Sequence, residues 1–135
     1  MLRISLRDGE KMIVNGAVLR ATGRVELAVE NRVAILRGRE VMNPDEANTP
    51  ARRLYLACMM AYVDEAGRER HHEQIIGLLG DLLGALENGV ARQACLDFAA
   101  HAATGDYYRA LTICRALMDY EQQALTRATA TADAA

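Results

Sequence analysis

Eight cations stand in the first 42 residues: Arg3, Arg7, Lys11, Arg20, Arg24, Arg32, Arg37 and Arg39. All but one are arginine. A guanidinium holds phosphate bidentately and stacks on unpaired bases, where an ammonium offers only a point charge. The set therefore admits contact with an RNA backbone. It equally admits an ordinary solvated sheet face, because Glu10, Glu26, Glu30 and Glu40 are interspersed as pairing partners. This stretch has no aromatic residue to serve as a stacking platform, so RNA recognition within it would run through arginine and backbone. A second cationic pair, Arg52-Arg53, falls in the first turn of an expected helix. Cations there oppose the helix macrodipole by about 0.3–1 kcal/mol each, so carboxylates such as Asp45 and Glu46 or an anionic partner must offset them. The candidate RNA-contacting set is Arg3, Arg7, Lys11, Arg37, Arg39, Arg52 and Arg53.

Other chemistry finds no constellation. His71 and His72 are adjacent, so on a helix they point about 100° apart and do not share a metal in the manner of an i, i+4 pair. With His101 they read as surface histidines. Cys58, Cys95 and Cys114 form no C-x-x-C pair and lie in apolar helical stretches, where cysteine behaves as a small buried hydrophobe. Ser5 is the only serine and sits on a strand, and no G-x-S-x-G, P-loop or G-x-G-x-x-G is present. The acidic pairs Asp45/Glu46, Asp64/Glu65 and Asp119/Glu121 are scattered over helix surfaces. The expectation is a protein that is not an enzyme and takes no metal or other cofactor.

The elements that must position the arginines change texture at Pro44 and Pro50, the only prolines. Before them apolar and charged residues alternate at a period of two. Leu2, Ile4 and Leu6 alternate with Arg3, Ser5 and Arg7, and Val25, Leu27 and Val29 with charged neighbours, each pattern predicting a half-buried strand. Asn15-Gly16 joins two further short strands in a type I′ hairpin. Residues 33–36 are apolar on both faces, so both faces should be covered. Five strands in about forty residues bury little alone, which predicts support from the helices, from a second copy, or from both. After the prolines the period is helical. The expected helices cover 50–66, with Thr49 as N-cap and Pro50 at N1, then 69–87, 90–103 and 107–127. The inward stripes are Ile75, Leu79, Leu82 and Leu86; Ala91, Cys95, Phe98 and Ala102; and Leu111, Cys114, Leu117/Met118 and Leu125. Gly77, Gly80 and Gly84 each cost the second helix about 1 kcal/mol relative to alanine, through close approach of a neighbour or tolerance on an exposed side. The fold class is α+β: a basic antiparallel β module over 1–43, a helical bundle over 44–127 and a disordered tail over 128–135.

Charge divides at the same boundary. Residues 1–42 carry 8 Lys/Arg and 5 Asp/Glu, and the remainder 8 and 13, so the halves hold +3 and −5 within a total of −2. Nucleic-acid binding must then come from a local patch. Apolar residues make up 51% of the chain and charged ones 25%, a balance that folds. The N-terminus lacks an apolar signal-peptide core, and the longest apolar run, 54–63, is half a membrane span. A soluble cytoplasmic protein with no membrane partner is expected.

Three blocks carry a family resemblance: LRDGEKMIVNGAVL, NRVAILRGREVM and NPDEANTPARRLYL, with a weaker echo in GDYYRALTICRALMDYE. They closely resemble the FlbT family of flagellar biosynthesis regulators. The resemblance implies control of flagellin synthesis after transcription, through the 5′ untranslated region of flagellin mRNA, with repression of translation or destabilisation of the message. It also implies a FlaF-like regulator and flagellin itself as protein partners. The N-terminal order of strands and D-G and N-G turns is similar to the carbon storage regulator family, whose short β proteins dimerise and bind leader RNA through basic strand edges. The reading is thus an RNA-binding homodimer. An adaptor or export-chaperone-like protein, whose helices bind flagellin or the FlaF-like regulator, is the alternative.

Overall fold

Ile4 and Leu6 are buried while Arg3 and Ser5 are exposed, so Leu2–Leu6 (β1) is a strand covered on one face. It pairs antiparallel with Val25–Val29 (β4) in a two-stranded ribbon. Lys11–Val14 (β2) and Ala17–Arg20 (β3) form the expected hairpin. Its turn residues Asn15 and Gly16 have φ of 48° and 88°, the left-handed values a type I′ turn requires. Ile35–Arg37 (β5) joins the other side of β2, giving a second sheet in the order β3-β2-β5. A computed structural model describes residues 2–134, with side chains for residues 2–129.

Four helices follow: Pro50–Val63 (α1), Arg68–Ala85 (α2), Gly89–Ala103 (α3) and Tyr107–Ala134 (α4). Thr49 caps α1 by accepting the Arg52 N–H, and Asn88 caps α3 through Val90 and Ala91. α1 is the central helix, packed against both α2 and α4, while α3 packs chiefly on α4. Its burial on several sides accounts for its apolar composition all round. The inward stripes hold for Ile75, Leu79 and Leu82 of α2 and for Ala91, Cys95, Phe98 and Ala102 of α3, all buried, whereas Leu86 falls just past the end of α2 and is half-buried. Gly77, Gly80 and Gly84 face open space, so they are tolerated on an exposed side and no helix approaches there. All three cysteines are buried in this core, and burial pushes the Cys58 thiol up to about 12.

Two expectations for α4 change. Leu125 is 48% exposed, because α4 runs on beyond the helices that could cover it. The helix also continues to Ala134 rather than stopping near Arg127, so the segment expected to be disordered is helical as far as that residue. Alanine has the highest helix propensity, and residues 128–134 are rich in it. The last residue, 135, lies outside the described residues.

Alternation along the second sheet decides how the two halves meet. Met12, Val14 and Ile35 face the ribbon and form a small core with Ile4, Leu6, Ala21, Val25 and Val29. Ile13 and Leu36 face the other way and enter the helical core with Leu54, Tyr55 and Cys58. Three layers result: ribbon, sheet and helices. Ile35 and Leu36 are therefore covered on opposite faces of β5 within one chain, while Val33 and Ala34 precede the strand, half-buried, and line a cleft between the β module and the helices.

Leu36 is fully buried where the sheet meets the helices, so Leu36→Ala should cost about 2–5 kcal/mol through lost burial and a residual cavity. Ile35, half-buried in the smaller core, should cost less when truncated. Urea denaturation of the two variants is the check; a Leu36→Ala loss no larger than that of Ile35→Ala would contradict this layering.

Candidate nucleic-acid interface

The β4–β5 loop, the end of β5 and the first turn of α4 converge on a cleft of about 1090 Å³ between the β module and the helices. Arg32 comes from the loop and Arg37 from β5. Tyr62 comes from the end of α1, Arg68 from α2, and Tyr107 and Tyr108 from α4. The rings of Tyr62 and Tyr108 lie 5.7 Å apart at 49°. Tyr108 is 43% exposed and offers its ring to the cleft wall, whereas Tyr107 is buried with its hydroxyl 2.9 Å from His72 Nδ1. Arg68 is committed elsewhere: it donates to the Ala61 carbonyl at 2.7 Å and to the Tyr62 carbonyl at 3.4 Å. It thereby satisfies the free carbonyls at the C-terminal end of α1.

Glu40 fixes this wall. Its Oε1 accepts the Arg37 N–H at 3.1 Å, its Oε2 accepts the Tyr108 hydroxyl, and its main-chain carbonyl accepts the Tyr55 hydroxyl at 2.7 Å. Arg115 donates to the Tyr55 oxygen at 3.5 Å and extends the network into α4. The hydrogen bond to the Glu40 carboxylate, with burial adding to it, pushes the Tyr108 phenol up to about 12. Burial likewise raises Tyr55.

The structure spreads the predicted cations over several surfaces. Arg3 lies opposite Ala28, on the face of the ribbon away from the small core. Arg7 is in the β1–β2 turn, Arg39 in the short turn Gly38–Glu40, and only Arg37 of the set rims the cleft. Lys11 stands directly opposite Arg20 across the hairpin. Arg52 donates to Asn48 Oδ1 at 3.0 Å, while Arg53 lines a separate groove between α1 and α2. Among the described residues neither Asp45 nor Glu46 forms an ion pair with Arg52 or Arg53, and Glu121 of α4 reaches the start of α1, accepting the Ala51 N–H at 2.9 Å.

The interspersed glutamates do not ion-pair with the cations of the β module among the described residues. Among the described residues the ion pairs are His71–Asp64, His101–Asp106 and Arg109–Asp106, and none involves a cation of the first 42 residues. Glu10 and Glu40 accept the main-chain N–H groups of Arg7 and Arg37 instead of side-chain cations. Like charges directly opposite on a sheet destabilise it, and no carboxylate relieves the Lys11–Arg20 pair. Arg32 and the tyrosines were not in the sequence-derived set. The doublet Tyr107-Tyr108 was visible there, but not its position some seventy residues later beside Arg37.

His71 also departs from its surface assignment: it is 7% exposed, with Nε2 bonded to Asp64 at 2.9 Å. That bond, with one from the Gly67 N–H, holds the Asp64 carboxyl below its ordinary range. His72 turns instead to Tyr107, as its angular offset requires. Among the described residues no three His, Cys, Asp or Glu side chains are grouped to hold a metal ion, and no helix is long and apolar enough to cross a membrane.

Fold and site together define an α+β protein with a tyrosine-walled cleft at the joint of its two halves, where Arg32, Arg37 and Arg68 stand among Glu30, Glu40 and Glu65. Residues 2–125 match the family described as flagellar protein FlbT, and the chain belongs to that family. It is 38% identical over 125 residues to the flagellum biosynthesis repressor protein FlbT of Caulobacter vibrioides (strain ATCC 19089 / CIP 103742 / CB 15), covering 92% of this chain and 89% of that one. It is equally 38% identical to the probable flagellum biosynthesis repressor protein FlbT of Caulobacter sp. (strain K31), covering 92% and 95%. A protein of the same name from Agrobacterium fabrum is 34% identical, with 93% and 84% covered. No solved structure matches.

Tyr108 offers a direct reading of the cleft wall. Its folded pKa of about 12 exceeds the ordinary 10.0, so its contribution to stability is intact below pH 10 and is lost as pH rises from there toward about 12. Glu40→Gln removes the charge that holds the phenol up, so one tyrosine should titrate closer to its ordinary value. Tyrosinate absorbance across an alkaline titration measures this, and an unchanged profile would exclude the Glu40–Tyr108 bond.

Proposed function

We propose that this protein regulates flagellum biosynthesis after transcription, by binding the 5′ untranslated region of flagellin mRNA and repressing its translation or destabilising it. The flagellar part of this reading rests on family membership and on the repressor names of its relatives. The RNA part rests on one observation: the β module carries eight exposed cations, none paired to a carboxylate among the described residues. Unpaired cations bind phosphate without first breaking an ion pair, and releasing condensed counterions drives the association. Arg32 and Arg37 would hold phosphates at the mouth of the cleft while an unstacked base rests on Tyr108. The protein acts in the cytoplasm as a binding protein and performs no bond-making step.

The adaptor reading, with a FlaF-like regulator or flagellin as partner, has its own support. Leu56, Met60 and Leu78 line a groove of about 480 Å³ between α1 and α2, on the half of the chain whose net charge disfavours nucleic acid.

Binding of purified protein to flagellin leader RNA across a salt series separates the two readings. Four to six phosphate contacts, at roughly −0.7 each, predict a log–log slope of about −3 to −4. The double change Arg32→Gln/Arg37→Gln should flatten that slope by about 1.4 and weaken binding. Lys11→Gln/Arg20→Gln tests the hairpin face, and Arg52→Gln/Arg53→Gln the start of α1. Absence of affinity for the leader at moderate salt would leave the adaptor reading in its place.

A further inference from the structure

β3 bonds to β2 on one side only, since the order β3-β2-β5 leaves its other side open. All four of its residues are exposed, Val18 at 64% and Leu19 at 46%. Natural edge strands are blunted by lysine, proline, a bulge or a covering element; β3 has Arg20 alone, at its last position.

The hairpin register decides which backbone groups point outward. The Ala21 N–H donates to the Glu10 carbonyl, so Ala21 turns toward β2. In an antiparallel ladder bonded and non-bonded pairs alternate. Through the register Lys11↔Arg20, Met12↔Leu19 and Ile13↔Val18, Leu19 and Ala17 therefore also turn toward β2. The amide and carbonyl groups of Val18 and Arg20 face away, and among the described residues nothing bonds to them there.

We propose that β3 pairs antiparallel with β3 of a second copy of this chain, about a twofold axis through Leu19. The outward groups select that axis. With Leu19 opposite its own copy, Val18 of each chain exchanges both of its main-chain bonds with Arg20 of the other, and every outward group is satisfied. Leu19 then meets Leu19 in the closely spaced, non-bonded position, covering the apolar side chains on that face. An axis through Val18 would make a single bonded pair, and one through Arg20 would set two guanidinium groups face to face. Each copy uses its edge once, so the assembly closes at two. The two sheets become continuous and carry both Lys11–Arg20 pairs on one face. A strand of four residues buries less than the roughly 1,200 Å² of stable complexes, so this dimer is reversible and depends on concentration.

Sedimentation velocity over a concentration series should show a monomer–dimer equilibrium for the unaltered protein. Leu19→Lys places like charges on the axis at an exposed position and should leave a monomer with an unchanged thermal melt. Val18→Pro removes an N–H that is not part of the β2–β3 ladder, as edge strands tolerate, and should do the same. For an independent readout, Leu19→Cys should form a disulfide-linked dimer under mild oxidation. Opposed non-bonded residues have Cα atoms about 4.5 Å apart, within disulfide range, and the three native cysteines are buried. Thr22→Cys, exposed beyond the strand, should not cross-link. A wild type that stays monomeric throughout, a dimer that survives Leu19→Lys, or Leu19→Cys cross-linking no better than Thr22→Cys would each overturn the proposal.

Discussion

Leu36 has to be buried on one side of β5 and Ile35 covered on the other, and a strand of three residues leaves little latitude in meeting both demands. They are met because the β1–β4 ribbon and the helices press on the same sheet from opposite faces. Neither core is large. The ribbon side has four buried residues at its centre, too few to hold a β module without the sheet behind it. The helical core takes in Ile13, Leu36 and Met42 from the β side, so the two halves share one interior. This shared wall gives the cleft its shape, since Arg37 lies at the end of the strand whose Leu36 anchors it.

Glu40 converts that packing into a defined geometry. One residue accepts from the main chain of Arg37, from the hydroxyl of Tyr108 in α4 and, through its carbonyl, from Tyr55 in α1. Packing alone permits sliding, whereas three hydrogen bonds in different directions fix the orientation of β5 against two helices. A carboxylate so occupied keeps its charge, which acts on Arg115 as well as on Tyr108. The element that positions the cleft thereby also places a negative charge on a wall that carries Arg32 and Arg37.

Electrostatics divide along the same boundary. In the helical part three carboxylates enter internal contacts: Asp64 with His71, Asp106 with His101 and Arg109, and Glu121 on the first turn of α1. The β module leaves its cations open. A chain with a net charge of −2 can still present a local positive surface where its cations are concentrated, as in the +3 held by residues 1–42.

Period-two alternation, the Asn15-Gly16 turn, the Thr49-Pro50 helix start and the inward stripes of α2 and α3 are local signals, set by backbone sterics and by side chains a few residues apart, and they were legible in the sequence. So was the membership of a family carried by three contiguous blocks. The sequence could not tell that Ile35 and Leu36 are covered on opposite faces within one chain, because that depends on where the ribbon and helices lie in space. Nor could it tell that Glu121 of α4 reaches the Ala51 N–H at the start of α1, or that His71 is buried beside Asp64. The cleft is the clearest case. Arg37 and Tyr108 are far apart in sequence and meet only through Glu40, and a contact of that range is decided by tertiary packing, since no local periodicity encodes it.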